Sequence, residues 1–246
     1  MVAFKLEAWT AVAPSLESKS DWQEWISDPS PIIDNTLNVN LKHIPMMLRR
    51  RFNALGKSAM GAIGQLSLED QSIPCIFASQ HGDTRLTLSL LEGIGRQEDM
   101  SPTGFSLAVH NAISGLYTIA TKNESSVTAI SAMQGHIASA LFETLSQLQV
   151  SERVLCVIYD TQLPELYRPY SQSTNFPYAI AIVFSREHGD SLSLEYTAPL
   201  NNIDELSTYE SELKAFIAFL LNDSNVFTCS NNGTNWTLKR QPQHVC

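Results

Sequence analysis

The junction between an apolar strand pattern at 126–131 and a helical pattern at 136–149 is the place where this sequence could hold a nucleophile. Such junctions present groups to ligands in open α/β sheets, and a helix N-terminus there favours an anion or an attacked carbonyl oxygen. The turn itself contains Ser131, Ala132, Met133 and Gln134. Ser131 has the only hydroxyl, but the Gly-x-Ser-x-Gly frame of a nucleophile elbow is missing. The favoured interpretation of Ser131 is therefore an N-cap for the helix that follows.

Three histidines could supply the base that a serine nucleophile needs, namely His81, His110 and His136. With Ser131 they define one hypothesis, a self-sufficient acyltransferase or hydrolase. His110 lies within an otherwise apolar stretch, where a hydrogen-bonded core histidine is the favoured alternative.

The sequence contains no motif that is typical of a metal site or a cofactor site. The histidines form no HExxH frame, and the four cysteines (Cys75, Cys156, Cys229 and Cys246) share no CxxC spacing. No glycine-rich phosphate loop follows a strand pattern, so nucleotide binding is not expected. We predict no metal and no cofactor, and a structural role for the cysteines.

A basic segment between Asn35 and Leu68 carries five bases and no acid in a chain whose net charge is −9. The bases are Lys42, Arg49, Arg50, Arg51 and Lys57. A local positive face attracts and orients an acidic partner. The alternative is a solvated helix face whose arginine stems cover apolar surface.

The elements that position these residues alternate between short apolar runs and helical periodicities. Strand patterns occur at 2–13, 73–79, 126–131, 154–159, 178–185 and 192–196. Helical patterns occur at 46–66, 84–94, 105–120, 136–149 and 203–221. A hairpin is predicted around Asn231-Asn232-Gly233, between 226–229 and 236–239. This alternation predicts one layered α/β domain.

Length and composition set the outer limits of function. The chain has 246 residues, of which 43% are apolar, so a large core is available and disorder is disfavoured. The acidic balance disfavours general nucleic-acid binding. We find no apolar run long enough for a membrane span and no signal-peptide core, and we expect a soluble, cytoplasmic protein.

Two segments resemble the β-ketoacyl synthases. Met100-Ser-Pro-Thr-Gly-Phe-Ser-Leu-Ala-Val-His-Asn-Ala-Ile-Ser-Gly-Leu116 is similar to the synthase segment that follows a Ser-Pro and leads through an Asn to Ala-Gly. The junction described above resembles the synthase strand and elbow, in which Ala-Cys-Thr-Ser-Gly carries the acyl-accepting cysteine. Aligning Gly135 with that glycine places Ala132 at the cysteine position.

The resemblance covers roughly residues 1 to 200 and only the N-terminal half of a synthase. It implies one half of a thiolase-like α-β-α fold, with a mixed five-stranded sheet plus a C-terminal helix and hairpin. The domain would span residues 1–246, with 201–246 as an extension. Leu48-Arg-Arg-Arg-Phe52 and Leu163-Pro-Glu-Leu-Tyr-Arg-Pro169 are similar to segments of the small chain length factors from aryl polyene gene clusters.

A chain length factor is the inactive partner of a type II ketosynthase, so the resemblance implies a heterodimer with a catalytic subunit and no catalysis by this chain. The strand at 126–131, with Val127 and Ala129, would be the sheet edge that pairs with the partner. One helix face, carrying Phe105, Ala108, Ala112 and Leu116, would line the tunnel for the growing chain. Because acyl carrier proteins are acidic, the basic segment (Arg49, Arg50, Arg51 and Lys57) is a candidate docking site for them. The alternative is that the carrier protein docks on the catalytic subunit.

Overall fold

A single mixed sheet of eight strands organises the part of the chain that the structure describes. That structure is a computed structural model, and it describes residues 2–28, 32, 35–66, 68, 72–197, 209–231 and 234–242. The strands are β1 (Val2–Val12), β2 (Cys75–Ala78), β3 (Val127–Ile130), β4 (Arg153–Asp160), β5 (Tyr178–Ser185), β6 (Asp190–Thr197), β7 (Val226–Asn231) and β8 (Thr234–Arg240). Their spatial order is β3-β2-β4-β5-β1-β6-β8-β7.

The sheet is parallel at one end and antiparallel elsewhere. β2 pairs in parallel with β3 and β4, and the other neighbours are antiparallel. The first five strands in this order form the mixed five-stranded sheet that the resemblance implied. The outer strand β6 and the hairpin β7–β8 then extend the same sheet rather than forming a separate layer. The turn at Asn232 and Gly233 lies outside the described residues.

Helices cover both faces of the sheet. They are α1 (Lys19–Ser27), α2 (Met46–Arg49), α3 (Ala54–Gln65), α4 (Thr84–Gly95), α5 (Pro102–Leu107), α6 (Ala112–Thr121), α7 (His136–Gln147) and α8 (Tyr209–Leu220). One core contains side chains of α1, α7 and α8, and the other contains side chains of α3 and α6. Because both faces are covered, the central strands β4 and β5 are almost uninterrupted runs of buried apolar residues. The layered α-β-α architecture is confirmed.

Two helices that the sequence predicted as continuous are each broken in the structure. The pattern at 46–66 divides into α2 and α3, because the Asn53 side chain accepts from the backbone N–H of Gly56 and starts a new helix. The pattern at 105–120 divides into α5 and α6 around His110. Residues 203–208 of the last predicted helix lie outside the described part of the chain.

Helix α1 was not predicted from the sequence, although a local signal for it is present. Ser18 and Asp21 form a capping box, in which each side chain accepts from the backbone of the other residue. Trp22 and Trp25 are buried against the sheet, and the Trp22 indole donates to the Ala11 carbonyl. The helix therefore belongs to the core and not to a surface turn.

Candidate functional site

Strand β3 forms one edge of the sheet, as the resemblance implied. Within the described residues it pairs only with β2. The carbonyls of Ser126 and Ile130 accept from the backbone N–H groups of Cys75 and Ser79 in and beside β2. Because successive residues of a strand direct their backbone groups to opposite sides, Val127 and Ala129 direct theirs away from β2. This edge can therefore accept one further strand.

A groove of about 430 Å³ lies beside this edge, between β3 and α6. Its lining combines residues from α6, from the segment just before it and from the strand. They are His110, Asn111, Ser114, Gly115, Thr118, Val127 and Ala129. The groove and the open edge thus share Val127 and Ala129, so a partner strand paired with β3 would border the groove.

Two hydroxyls in the groove wall are hydrogen-bonded within their own helix. The Ser114 hydroxyl donates to the Asn111 carbonyl and the Thr118 hydroxyl donates to the Gly115 carbonyl, each at 2.9 Å. Both hydroxyls are therefore satisfied locally. Gly115 adds no side chain, and a Cβ placed there would have no atom within 4 Å. The wall thus consists mostly of small side chains and presents polar and apolar surface in similar amounts.

The predicted tunnel residues are only partly brought together. Val127 and Ala129 line the groove. The prediction of one continuous helix face for Phe105, Ala108, Ala112 and Leu116 is wrong, because the chain leaves the helix between α5 and α6. Phe105 is exposed on α5, Ala108 caps the end of α5, Ala112 begins α6, and Leu116 is buried in the core.

The helix face that lines the groove was not predicted from the sequence. Asn111, Ser114, Gly115 and Thr118 recur at offsets of three, four and seven, which places them on one side of α6. These are the small and polar residues of an otherwise apolar segment. That contrast is the signal by which the sequence could have indicated them.

The turn after β3 is fixed by hydrogen bonds to Gln80. The Ser131 hydroxyl donates to the Gln80 carbonyl at 2.7 Å, and the Gln80 side-chain amide donates to the Met133 carbonyl at 3.0 Å. The N-cap of α7 is Gly135, with φ of 58°, and it makes no side-chain cap. The expectation that Ser131 caps this helix is therefore wrong. Ala132 is half-buried at the turn, and Met133 and Gln134 are exposed.

The buried carboxylate of Asp160 fixes the loop at Ser79 and Gln80. Through Gln80, that loop in turn fixes the turn after β3. Asp160, at the end of β4, accepts from the Ser79 hydroxyl at 3.1 Å and from the Gln80 backbone N–H at 2.7 Å. The Ser79 hydroxyl oxygen accepts in turn from the Gly82 N–H. Gln80 and Asp160 were not among the residues singled out from the sequence, because their proximity to the turn depends on neighbouring parallel strands ending at the same edge.

Each of the three candidate histidines has another role or place: two lie within hydrogen-bond distance of backbone carbonyls, and the third is buried. His110 Nε2 lies 2.8 Å from the Ser79 carbonyl, and His81 Nε2 lies 3.2 Å from the Gln172 carbonyl. His136 is buried at the start of α7, and desolvation lowers its pKa to about 4. Among the described hydrogen bonds none joins any of these rings to Ser131. The arrangement of a nucleophile with its base is not formed.

The described cysteines are buried and unreactive. Cys75, Cys156 and Cys229 are free thiols, and burial raises the pKa of each to about 12. A thiol with such a pKa remains protonated near neutral pH and is a poor nucleophile. Cys246 lies outside the described residues. Within the described ranges no three His, Cys, Asp or Glu side chains are placed to bind a metal ion.

Helix α8 places a carboxylate near the start of α7. The Glu212 side chain lies near the Ile137 backbone N–H in the first turn of α7, where the glycine N-cap offers no side chain. Its Oε1 is buried without a hydrogen-bond partner. Desolvation is the main cause that raises the pKa of Glu212, to about 7, and the nearby Ile137 N–H opposes that shift.

The basic segment places most of its cations at the surface. Arg50, Arg51 and Lys57 are exposed beside the exposed side chains of Met46 and Met47. Arg49 differs, because its guanidinium donates to the carbonyls of Ile44 at 2.6 Å and Lys42 at 3.0 Å. Arg49 therefore stabilises the preceding loop, whereas Arg50, Arg51 and Lys57, like Lys42, are exposed to a partner.

Comparison with known proteins places these features in a family. Residues 22–239 match the model described as β-ketoacyl synthase, N-terminal domain. A search of curated proteins finds no match. In the described part of the chain, none of the helices combines the length and apolar character needed to cross a bilayer.

Solved structures share the fold over most of the chain. One is a complex of the ketosynthase ApeO with its chain length factor ApeC from Xenorhabdus doucetiae, with 24% identity, a TM-score of 0.80, and coverage of 98% of this chain and 100% of that chain. Another is the ishigamide ketosynthase/chain length factor, with 10% identity, a TM-score of 0.62, and coverage of 82% and 69%. A third is the AntDE:AntF complex of a type II polyketide synthase acyl-carrier protein with its ketosynthase bound to the hexaketide, with 10% identity, a TM-score of 0.68, and coverage of 98% and 99%.

Proposed function

This chain belongs to the β-ketoacyl synthase N-terminal domain family, and we propose that within it the chain is a chain length factor. In this role it catalyses no reaction itself, binds a catalytic β-ketoacyl synthase, and forms part of the tunnel that receives the growing acyl chain. The likeness to the ApeO–ApeC complex and the aryl polyene resemblance of segments 48–52 and 163–169 support a role in aryl polyene biosynthesis.

The observation that carries this proposal is the open edge of β3 with the groove beside it. An unpaired, partly apolar edge strand exposes a protein to aggregation, and pairing with a partner removes that risk. Val127 and Ala129 have their backbone groups available to the partner and their side chains in the groove. A strand that pairs there therefore also closes the groove, which converts it into a tunnel between two subunits.

The turn after β3 supports a role without catalysis. If Gly135 corresponds to the glycine of the synthase elbow, Ala132 stands where the acyl-accepting cysteine belongs, and a methyl group forms no thioester. The neighbouring Ser131 hydroxyl donates to a backbone carbonyl, and the described cysteines are buried. These contacts offer no substitute nucleophile at this position.

The carrier protein completes the proposed assembly. We assign its docking to Arg50, Arg51 and Lys57, whose exposed cations attract an acidic protein, with Met46 and Met47 as adjoining apolar contacts. Arg49 contributes indirectly, by fixing the loop before α2.

We also propose that residues 1–246 form one domain. Leu213, Phe216 and Ile217 of α8 pack in the same core as α1 and α7, and β8 pairs with β6. In this arrangement α8 covers a face of the sheet next to α7. The C-terminal segment is then part of the fold and not a separate cap.

Co-expression with the β-ketoacyl synthases encoded beside this chain tests the proposal. The wild-type chain is expected to copurify with one of them as a one-to-one complex in size-exclusion chromatography. Ala129→Pro removes a backbone donor that faces the open edge without removing a bond to β2, and is expected to abolish the complex. Ala129→Ser keeps the donor and is the matched control. Retention of the complex by Ala129→Pro would contradict pairing through β3.

A further inference from the structure

One hydrogen bond joins the caps of two helices. The Asn53 side-chain oxygen accepts from the Gly56 backbone N–H at 3.1 Å and starts α3. One oxygen of the Asp83 carboxylate accepts from the Leu86 backbone N–H at 3.0 Å and starts α4. The Asn53 amide also donates to the other oxygen of the Asp83 carboxylate. The pair therefore connects the first turn of α3 to the first turn of α4.

Asn53 belongs to the basic segment that we assign to carrier docking. Arg50 and Arg51 lie within three residues before it, and the Lys57 backbone N–H donates to its carbonyl at 2.8 Å. Among the described hydrogen bonds, only the one to Asp83 links the start of α3 to a residue beyond the basic segment. This bond adds a directional constraint to the apolar packing of α3 on the sheet.

Asp83 belongs to a short loop, residues 79–83, that contacts the groove wall. Gly82, with φ of 61°, donates its N–H to the Ser79 hydroxyl at 2.8 Å. A Cβ at Gly82 would lie 3.1 Å from Cδ2 of His110, which lines the groove. The Nε2 atom of His110 lies 2.8 Å from the Ser79 carbonyl oxygen. The loop that carries Asp83 therefore packs directly on the groove wall.

The same loop fixes the turn that follows the open edge. Strand β3 ends at Ile130, and the turn begins with the next residue, Ser131. The Gln80 carbonyl accepts from the Ser131 hydroxyl, and the Gln80 side chain donates to the Met133 carbonyl. Asp160 holds Gln80 in place by accepting from its backbone N–H. The loop thus connects the segment assigned to carrier docking with the edge assigned to ketosynthase binding.

We propose that Asn53 and Asp83 are positioning residues, which orient a docked carrier protein so that its acyl group enters the tunnel at the β3 edge. The inference rests on the proposed function, because both docking surfaces are taken from it. Small errors in placement lower the rate of a reaction between bound groups strongly, even when binding is unchanged. The pair is therefore expected to affect the rate of elongation and not the affinity for the carrier protein.

The two side chains can exchange their roles, and this exchange defines the variants. In Asn53→Asp the cap of α3 is kept, but two carboxylates face each other and the bond is lost. In Asp83→Asn one oxygen cannot both cap α4 and accept from Asn53, because these partners contact different oxygens of the carboxylate. In Asn53→Asp/Asp83→Asn the amide at position 83 donates to the carboxylate at position 53, and both caps remain.

The measurement is elongation by the reconstituted complex at increasing concentrations of acyl carrier protein. Both single variants are expected to lower the rate at saturating carrier protein by about fivefold or more, and the double variant to restore it to within about twofold of the wild type. Asp83→Asn adds no negative charge beside the basic segment, so its KM for the carrier protein is expected to stay within about twofold of the wild type. The double variant has the net charge of the wild type and is the matched control.

Thermal denaturation reports folding, and rates are compared per mole of intact complex. Asn53→Ser, which keeps a capping oxygen but has no amide, is the further variant should either single change impair folding. It is expected to lower the rate at saturating carrier protein in the same way.

The outcomes separate the two proposals. Wild-type rates in the single variants, or a raised KM with an unchanged rate at saturation, contradict positioning by the pair and leave the proposed function in place. Failure of the double variant to restore the rate also contradicts positioning. Unchanged carrier binding after charge reversal at Arg50 and Arg51 contradicts the docking assignment of the proposed function, and this inference with it.

Discussion

At Gly115 the groove wall lacks a side chain, and a side chain there is free to enter the groove. No atom lies within 4 Å of an added Cβ, so the folded chain tolerates the addition. Gly115→Phe is therefore expected to fill part of the tunnel and to shorten the products of the reconstituted complex by whole two-carbon units. Mass spectrometry of the released products measures the shift.

The control for this variant is Val150→Phe, which places the same ring at an exposed position at the end of α7. It is expected to leave product length unchanged. Full-length products from Gly115→Phe, with the complex intact, would show that the growing chain does not occupy the groove.

The raised pKa of the Glu212 carboxyl predicts how the free energy of unfolding depends on pH. Burial raises its pKa in the folded state from 4.5 to about 7, so its contribution to stability is complete below pH 4.5 and is lost as pH rises to 7. Glu212→Gln carries no titrating group. Between these pH values the free energy of unfolding of the wild type is expected to fall by roughly 2 kcal/mol relative to this variant.

Urea denaturation at pH 4.5, 6 and 7.5 provides the measurement, with Glu187→Gln as the control at an exposed carboxylate. A constant difference between the wild type and Glu212→Gln across this range would show that the Glu212 carboxyl is solvated.

At the scale of elements, the strands were more predictable than the helix boundaries. The runs that became β4 and β5 are almost uninterrupted apolar sequences, as expected for strands covered on both faces. The break before α3 follows from the Asn53 cap, and α1 follows from its capping box, so both have local signals. The break between α5 and α6 has none, because His110 bonds to the Ser79 carbonyl of a distant segment.

The segment containing α2 and α3 makes a prediction about the carrier protein. Arg50→Glu with Arg51→Glu reverses two exposed charges and is expected to weaken carrier-protein binding about tenfold at low salt. Because salt screens exposed charges, the difference from wild type should shrink at high ionic strength. Surface plasmon resonance with the acyl carrier protein immobilised measures both effects.

The control for charge reversal is Arg186→Glu, an exposed arginine after β5. Equal binding by Arg50→Glu/Arg51→Glu and the wild type at low salt would favour the alternative of a solvated face. Arg49 is unsuitable for this test, because its guanidinium bonds to two loop carbonyls and its loss disturbs the loop itself.

For the whole molecule, the sequence alone was sufficient to predict the family and the layered fold, but not to predict which residues line the groove. The segment 100–116 and the turn at 131–135 carry the family resemblance, which the match over residues 22–239 confirms. The groove lies where α6 packs beside β3, and Ser114, Gly115 and Thr118 of α6 line it. The helix is interrupted around His110, whose ring lies 2.8 Å from the Ser79 carbonyl of a distant segment. Because that interruption depends on a tertiary contact, helical periodicity alone selected the wrong face.

The described fold is that of a β-ketoacyl synthase N-terminal domain. The chain covers the whole of the matched chain in the ApeO–ApeC complex but 69% of the ishigamide protein. Helices α1 and α8 pack with α7 on one face of the sheet. The open edge at β3 agrees with the proposal that a partner completes the function of this chain.

The most direct test is intact mass spectrometry of the reconstituted complex after loading with an acyl carrier protein that bears a labelled acyl group. The account predicts the acyl mass on the catalytic ketosynthase and none on this chain, together with altered product length when this chain is left out. An acyl adduct on this chain, at Ser131 or at any other residue, would contradict it, as would products of unchanged length in its absence.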